Sequence, residues 1–177
     1  EGLRLDGALR GTGGATNAEG GGLSVGVSRL RGFNAGAELL PTFPTGPRQI
    51  RVSTTLAGNR ENGVVEFDPG LVAGGGFDSL TLQADDEIFF ATDTKLTVRN
   101  RLALQAPNLR AADGVGTVGL AANHLALGPR LSASAAPAAA VSGAAALRAD
   151  AGLIDLFGRS SLLGFGDTVL AARTDIR

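Results

Sequence analysis

The stretch from Phe77 to Ala106 reads FDSLTLQADDEIFFATDTKLTVRNRLALQA and contains two nearly identical phrases. Leu80 to Ala84 (LTLQA) and Leu102 to Ala106 (LALQA) each place apolar residues at alternate positions. Such alternation is typical of a β-strand with one buried face, because successive side chains of a strand point to opposite faces. The stretch therefore predicts two strands at equivalent positions of a repeat.

The same short pattern recurs further along the chain, beginning at Leu125, Leu147 and Val169, so that the five starting positions are almost evenly spaced. A constant step of about 22 residues corresponds to roughly one coil of a parallel β-helix, whose equivalent strands stack roughly 4.8 Å apart. One coil cannot bury its apolar row alone, so neighbouring coils must stack. We predict an all-β fold: a parallel β-helix (solenoid) with about 22 residues per coil and loop excursions.

Further strands are predicted between these anchors at Ile88–Phe90, Leu96–Val98, 115–121 and Leu153–Leu156. Aromatic side chains can stack on equivalent positions of successive coils. We expect the following phenylalanines to stack in the core: Phe67, Phe77, Phe89, Phe90, Phe157 and Phe165.

The chain as a whole, 1–177, is predicted to be a single β-helix segment with two parts. Residues 1–76 form irregular coils with a Pro/Gly-rich loop at about 31–48, since proline removes a backbone donor. Residues 77–177 form regular coils, interrupted by an Ala/Ser/Pro-rich stretch at about 132–146. That stretch fits a loop excursion, a pair of strands of small residues or a short helix.

In the irregular part, the apolar pairs that begin at Leu3, Leu23 and Ile50 resemble the inward pairs of the regular part, but they are unevenly spaced. Phe33 and Phe43 lie in the Pro/Gly-rich loop, where they would cover a coil or contact a partner.

Composition excludes several functional classes. Lys and Arg total 16 against 17 Asp and Glu, so a net charge of -1 offers no general attraction for nucleic acid or an anionic membrane. The chain has no cysteine, which excludes a disulfide framework and a thiolate metal site. It also lacks methionine and any recognisable signal peptide or transmembrane run, so we interpret it as an internal fragment of a longer protein.

The phrases Gly76-Phe77-Asp78-Ser79-Leu80-Thr81-Leu82 (GFDSLTL) and Leu102 to Pro107 (LALQAP) resemble the filamentous haemagglutinin family, the exoproteins of two-partner secretion in Gram-negative bacteria. The likeness covers residues 60–130 best. It implies a right-handed β-helix shaft, secretion to the cell surface through an outer-membrane transporter, and a role in adhesion and virulence or as the stalk of a contact-dependent toxin. It also implies a receptor or glycan on a host or neighbouring cell as the partner.

Three groups of residues are candidates for a functional site. The turn Ala73 to Leu80 is one substitution from a calcium-binding nonapeptide, but calcium sites of that type need successive repeats, so a plain turn is favoured. Asp85-Asp86-Glu87, with Asp93 and Lys95 nearby, is the densest charge cluster and is interpreted mainly as a solvated turn. His124, the only histidine, is expected to be a surface or hydrogen-bonded structural residue.

We therefore predict no catalytic, cofactor-binding or metal-binding residue, no cofactor and no enzymatic activity. The predicted function is a structural and adhesive shaft segment. Two alternatives remain open: a carbohydrate-active β-helix enzyme, either a polysaccharide lyase or a glycosidase, and a filament subunit that associates end to end through exposed strand edges. An acidic groove containing Asp85, Asp86 and a facing arginine would favour the enzyme.

Overall fold

The protein is described by a computed structural model that covers residues 3–5, 8–15, 18–29, 46–58, 61–130 and 136–177. Strands predominate, which confirms the all-β class, and one short helix, α1, spans Gly70–Gly75. The strands are β1 (Leu3–Leu5), β2 (Gly22–Val27), β3 (Gln49–Val52), β4 (Val64–Phe67), β5 (Ser79–Ala84), β6 (Glu87–Phe90), β7 (Lys95–Thr97), β8 (Arg101–Gln105), β9 (Asn108–Ala111), β10 (Thr117–Gly128), β11 (Ala145–Leu156), β12 (Ser161–Leu163) and β13 (Phe165–Ile176).

These strands form two parallel sheets. Sheet I has the order β1-β4-β3-β6-β9-β12, and sheet II has the order β2-β5-β8-β10-β11-β13, with β7 paired to the first half of β10. Every strand pair in the described part of the chain is parallel, and neither sheet closes on itself there. Parallel strands cannot be joined by a tight hairpin. Most consecutive strands lie in different sheets, so the chain crosses from one sheet to the other between them, whereas β3 and β4, β7 and β8, and β10 and β11 follow each other within one sheet.

Leucines stacked across sheet II form the centre of the core. Strand β5 alternates strictly, with Leu80 and Leu82 fully buried. Leu80 pairs in register with Leu102, and Leu102 with Leu125. The even spacing predicted from the sequence is therefore confirmed as the register of the first three anchors.

For the last two anchors the predicted register is wrong. Leu147 pairs with Val118, in the first half of β10, and Leu125 pairs with Ile154. Because Val118 precedes Leu125 by seven positions, the step from β10 to β11 spans more residues than the steps from β5 to β8 and from β8 to β10, and the even spacing between Leu125 and Leu147 is a coincidence. Val169 pairs with Arg148 and is 45% exposed. It therefore points outward, and not inward as predicted.

The longer step has a structural cause in the segment between β10 and β11. Its described parts, 129–130 and 136–144, contain neither helix nor strand, which favours the loop excursion among the three alternatives. Strand β11 begins at Ala145, within the last two residues of the predicted stretch 132–146. Ala138 accepts a hydrogen bond from Ser161 and donates one to Asn108, so the segment lies against β12 and β9. Sheet I receives no strand from the described part of this excursion, and β12 pairs directly with β9.

The sequence suggested that the N-terminal apolar pairs occupy equivalent positions, but in the structure they belong to different sheets. Leu3 pairs with Val65 in sheet I, whereas Leu23 pairs with Leu80 in sheet II. Ile50 belongs to sheet I, because β3 lies between β4 and β6. Most of the predicted Pro/Gly-rich loop, including Phe33 and Phe43, lies outside the described residues.

Two further expectations need correction. The Gly-rich stretch before Phe77 is not only a turn, because helix α1 occupies much of it and is capped at its C-terminus by Gly76, whose φ of 69° is left-handed. Phe89 is not in the core: in β6 the neighbouring Ile88 and Phe90 are the inward residues, so alternation turns Phe89 outward.

The other phenylalanines of the predicted stack lie in the interior to different degrees. Phe67, Phe90 and Phe165 are buried, whereas Phe77 and Phe157 are partly exposed. Phe67 and Phe90 belong to sheet I, and Phe165 begins the last strand of sheet II. The phenylalanines therefore do not form a single ladder.

Candidate functional site

The acidic run that the sequence singled out lies at the turn from β5 into β6, and its carboxylates are bonded to side chains and backbone from distant parts of the chain. Asp86 forms a bidentate pair with Arg29, with both N–O distances 2.6 Å, and also accepts the backbone N–H of Arg48 at 2.7 Å. Asp85 accepts the backbone N–H of Arg29 at 2.6 Å. These bonds tie together the strand ends of both sheets.

The environment of Asp86 keeps its carboxylate ionised. Burial acts to raise the pKa of Asp86, but hydrogen bonds from the Arg29 guanidinium and the Arg48 N–H outweigh it and hold that pKa below its usual value. The same pair raises the pKa of Arg29. A carboxylate held in this state is a poor proton donor near neutral pH, which disfavours a general-acid role.

Glu87 begins a chain of hydrogen bonds across three strands on the outer face of sheet I. Its Oε1 accepts from Gln49 Nε2 and its Oε2 from Arg110 Nε, both at 2.6 Å. Gln49 Oε1 in turn accepts from Arg51 Nε at 2.7 Å. We call the four residues Arg51, Gln49, Glu87 and Arg110 the outer-face relay.

Phe89 lies within this relay. Arg51 and Arg110 are its register partners on the two neighbouring strands, β3 and β9. The Arg51 guanidinium carbon lies over the Phe89 ring, 6.0 Å from its centroid, at the outer limit of a cation–π contact. The outer face therefore presents an aromatic side chain between two arginines.

Asp93 and Lys95 do not join the acidic run. They follow β6 at the end opposite to Asp86, and Asp93, in a left-handed conformation with φ 57°, accepts the backbone N–H of Thr117 at 3.1 Å. Lys95 lies on β7 in sheet II. The cluster expected from sequence proximity is therefore divided between two regions of the molecule.

Asp78 was the carboxylate of the candidate calcium turn. Its Oδ2 accepts hydrogen bonds from the guanidinium of Arg99 and from the backbone N–H of Gly20, both at 2.5 Å. The carboxylate of Asp78 is therefore paired with the positive charge of Arg99, where a calcium site would pair it with a metal ion. Within the described ranges, no three His, Cys, Asp or Glu side chains are grouped as a metal site requires.

His124 lies on the outer side of sheet II and forms a side-chain bond across strands. Its Nε2 is 2.7 Å from Asp155 Oδ2, and Arg177 Nε donates to the other oxygen of Asp155 at 2.7 Å. Hydrogen bonds from Arg177 and then from His124 lower the pKa of Asp155. The histidine is hydrogen-bonded, as expected, and it links β10 to β11.

The outer face of sheet II also carries an open groove of about 270 Å³. Small residues such as Gly119 and Ala121 form part of its lining, together with Lys95, Arg148 and Asp150. Arg148 is paired with Asp167, and Asp150 with Arg173. Charges of both signs therefore border the groove in adjacent pairs.

Sequence reasoning found the acidic run but missed its partners, because Arg29, Arg48 and Arg110 are 57, 38 and 23 residues away from it along the chain. A usable signal existed in the short strands of sheet I. Each of Gln49–Val52 and Asn108–Ala111 alternates a polar residue with an apolar one, which predicts a polar outer face once the strands are aligned.

Comparison with known proteins does not assign this outer face to a family. No helix in the described part of the chain is long and apolar enough to cross a membrane. No protein-family model matches the chain, and no curated protein or solved structure matches it either.

Proposed function

We propose that the chain is a segment of a right-handed parallel β-helix, and that it forms part of the structural and adhesive shaft of a large secreted bacterial surface exoprotein of the filamentous haemagglutinin type. The observation that carries the proposal is the row of parallel strands in sheet II, which runs from β2 to β13 in chain order. In this proposal the protein reaches the cell surface through an outer-membrane transporter and binds a receptor or glycan on a host or neighbouring cell.

The path of the chain supports a helical coil. From β5 onward it passes from sheet II to sheet I at β6, returns to sheet II at β7 and β8, and passes to sheet I again at β9. Each return is displaced by one strand position in both sheets, as Leu80–Leu102 and Ile88–Leu109 show. A chain that advances by one strand per circuit generates a solenoid, and its length grows with the number of coils.

The hydrogen bonds of the acidic side chains Asp86 and Glu87 support a structural shaft in preference to an enzyme. An acidic residue facing an arginine is present at Asp86 and Arg29, the arrangement that would favour the enzyme alternative. Both oxygens of Asp86 are bonded to that arginine, however, and both oxygens of Glu87 are bonded to Gln49 and Arg110. These bonds explain the acidic run as cross-strand ties, which are the ordinary stabilising pairs of a sheet surface.

Adhesion of the isolated chain to cells tests this proposal. Beads coated with the purified chain should adhere to epithelial cells or to Gram-negative bacteria, and beads coated with heat-denatured chain should not. Absence of adhesion to both would refute an adhesive role for the segment. Release of unsaturated or reducing sugars from polygalacturonate by the same preparation would refute the assignment as a non-enzyme.

A second candidate function, end-to-end self-association, is favoured by one observation. Strand β13 is paired along one edge only, with β11, within the described residues, and it exposes Val169 and Ile176. Unpaired strand edges invite addition of another chain. Light scattering at rising concentration should show growing particles, and a constant monomer mass would refute self-association.

A further inference from the structure

The outer-face relay presents hydrogen-bond donors that no described residue of the chain occupies. Arg110 bonds to Glu87 through Nε, and its two terminal amino groups have no partner among the described residues. Arg51 bonds to Gln49 through Nε, and its one contact with Glu61 is 3.4 Å long, to a side chain that is 58% exposed. Both guanidinium groups therefore have donors available to a ligand.

Two more deeply buried side chains hold these donors in place. Gln49 is 9% exposed and the Glu87 side chain 14%, and these two bonded residues fix the Nε atoms of arginines that are themselves 35% and 42% exposed. A guanidinium fixed at Nε loses less conformational freedom when its terminal groups bind a ligand. Arg51 and Arg110 lie two strands apart, roughly 10 Å, with Phe89 between them.

The position in the sheet limits what can bind. Strands β3, β6 and β9 are each paired on both edges, so no backbone group is free to add a peptide strand there. A ligand must bind through side chains alone, with two guanidinium forks and an aromatic ring. Guanidinium matches a planar carboxylate with two parallel hydrogen bonds, and an aromatic side chain provides apolar contact for a sugar ring.

We propose that Arg51, Phe89 and Arg110 form a binding site for glycan chains that carry carboxylate groups, that is, for hexuronate units. The inference rests on the proposed adhesive function and specifies the ligand class and the surface that would bind it. A ligand carboxylate displaces the long, exposed contact of Glu61 with Arg51, whereas the short bonds to Gln49 and Glu87 remain. The site binds sugar without cleaving it.

Isothermal titration of the whole chain with oligogalacturonate at low salt tests the site. We expect binding that weakens about tenfold in Arg110→Ala, and similarly in Phe89→Ala, because each removes one of three contacts. Arg99→Ala is the matched control: Arg99 is 53% exposed and also paired with an aspartate, but it lies at the other sheet. Circular dichroism of each variant must match the wild type.

The outcomes separate this inference from the proposed function. No binding of oligogalacturonate by the wild type, or an equal loss in Arg99→Ala and Arg110→Ala, would overturn the hexuronate site. Equal affinity for neutral dextran or for dextran sulfate would also overturn it, since neither carries a carboxylate. If coated beads still adhere to cells in any of these cases, the adhesive function stands and its ligand binds elsewhere; if adhesion also fails, both are refuted.

Discussion

Replacing Leu102 with alanine tests whether the stacked leucines of sheet II are the main source of stability. Leu102 is fully buried and lies in register between Leu80 and Leu125. Truncation of a fully buried leucine removes its transfer free energy and leaves a cavity, at a cost of about 2–5 kcal/mol. The parallel ladders on both sides of Leu102 restrict collapse of that cavity, so we expect about 3 kcal/mol.

Urea unfolding followed by far-UV circular dichroism measures this loss. With a slope of about 2 kcal/mol per molar urea, the midpoint of the Leu102→Ala variant should fall by roughly 1.5 M. Val115→Ala is the control, because Val115 is 84% exposed in a turn, and its free energy of unfolding should change by less than about 0.5 kcal/mol. Equal midpoints for the two variants would refute the reasoning, because the leucine ladder would then contribute nothing measurable.

Two further substitutions test the hydrogen bonds of Asp86 and the close packing of Gly128 against Phe157. The pKa of Asp86 is lowered in the folded protein, so its contribution is present above the unfolded pKa and is lost as pH falls through the folded value. Acid titration of wild type and Asp86→Asn should show a stability loss below about pH 4 that is smaller in the variant, and identical pH profiles would contradict this. Gly128→Ala should lower the melting temperature, because an added Cβ would clash with the Phe157 carbonyl oxygen. Gly74→Ala, with open space around it, should not lower it, and equal melting temperatures of the two variants would contradict the close contact at Gly128.

The fold class could be predicted from sequence because alternation is a local property. The LTLQA and LALQA phrases at Leu80 and Leu102 each indicate a strand with one buried face. Their spacing along the chain brings Leu80 and Leu102 into register on neighbouring strands. The step from β10 to β11 could not be predicted in the same way. The two halves of a long strand such as β10 have similar patterns, so the sequence does not show which half pairs with Leu147. Leu147 pairs with Val118, seven residues before Leu125, and the longer connection to β11 hides this offset because it leaves Leu147 at the expected distance from Leu125.

The candidate site was less predictable than the fold. Glu66, the register partner of Arg51 on β4, is only 3% exposed, and the alternation of the sequence gives no sign that a carboxylate is buried there. The pairing of Arg29 with Asp86 depends on how β2 and β5 align, which no local pattern determines. Phe89 was misplaced because three consecutive apolar residues in β6 conceal which of them points outward.

Disulfide formation between engineered cysteines measures the parallel register of sheet II, on which the proposed shaft rests. The chain has no native cysteine, so any bond formed is unambiguous. Gly119 and Arg148 are register partners, and neighbouring strands lie about 4.8 Å apart, within the range that a disulfide spans. Ala126 is the residue that a uniform coil length would place opposite Arg148, but in the structure Ala126 pairs with Asp155, further along β11.

We expect Gly119→Cys/Arg148→Cys to form an intramolecular disulfide under mild oxidation, detected by mass spectrometry of proteolytic fragments. Ala126→Cys/Arg148→Cys should not form one, because the two positions lie roughly 23 Å apart along the strand direction. Cross-linking of the second pair without the first would contradict the register and, with it, the stacked parallel ladder on which the proposed shaft depends.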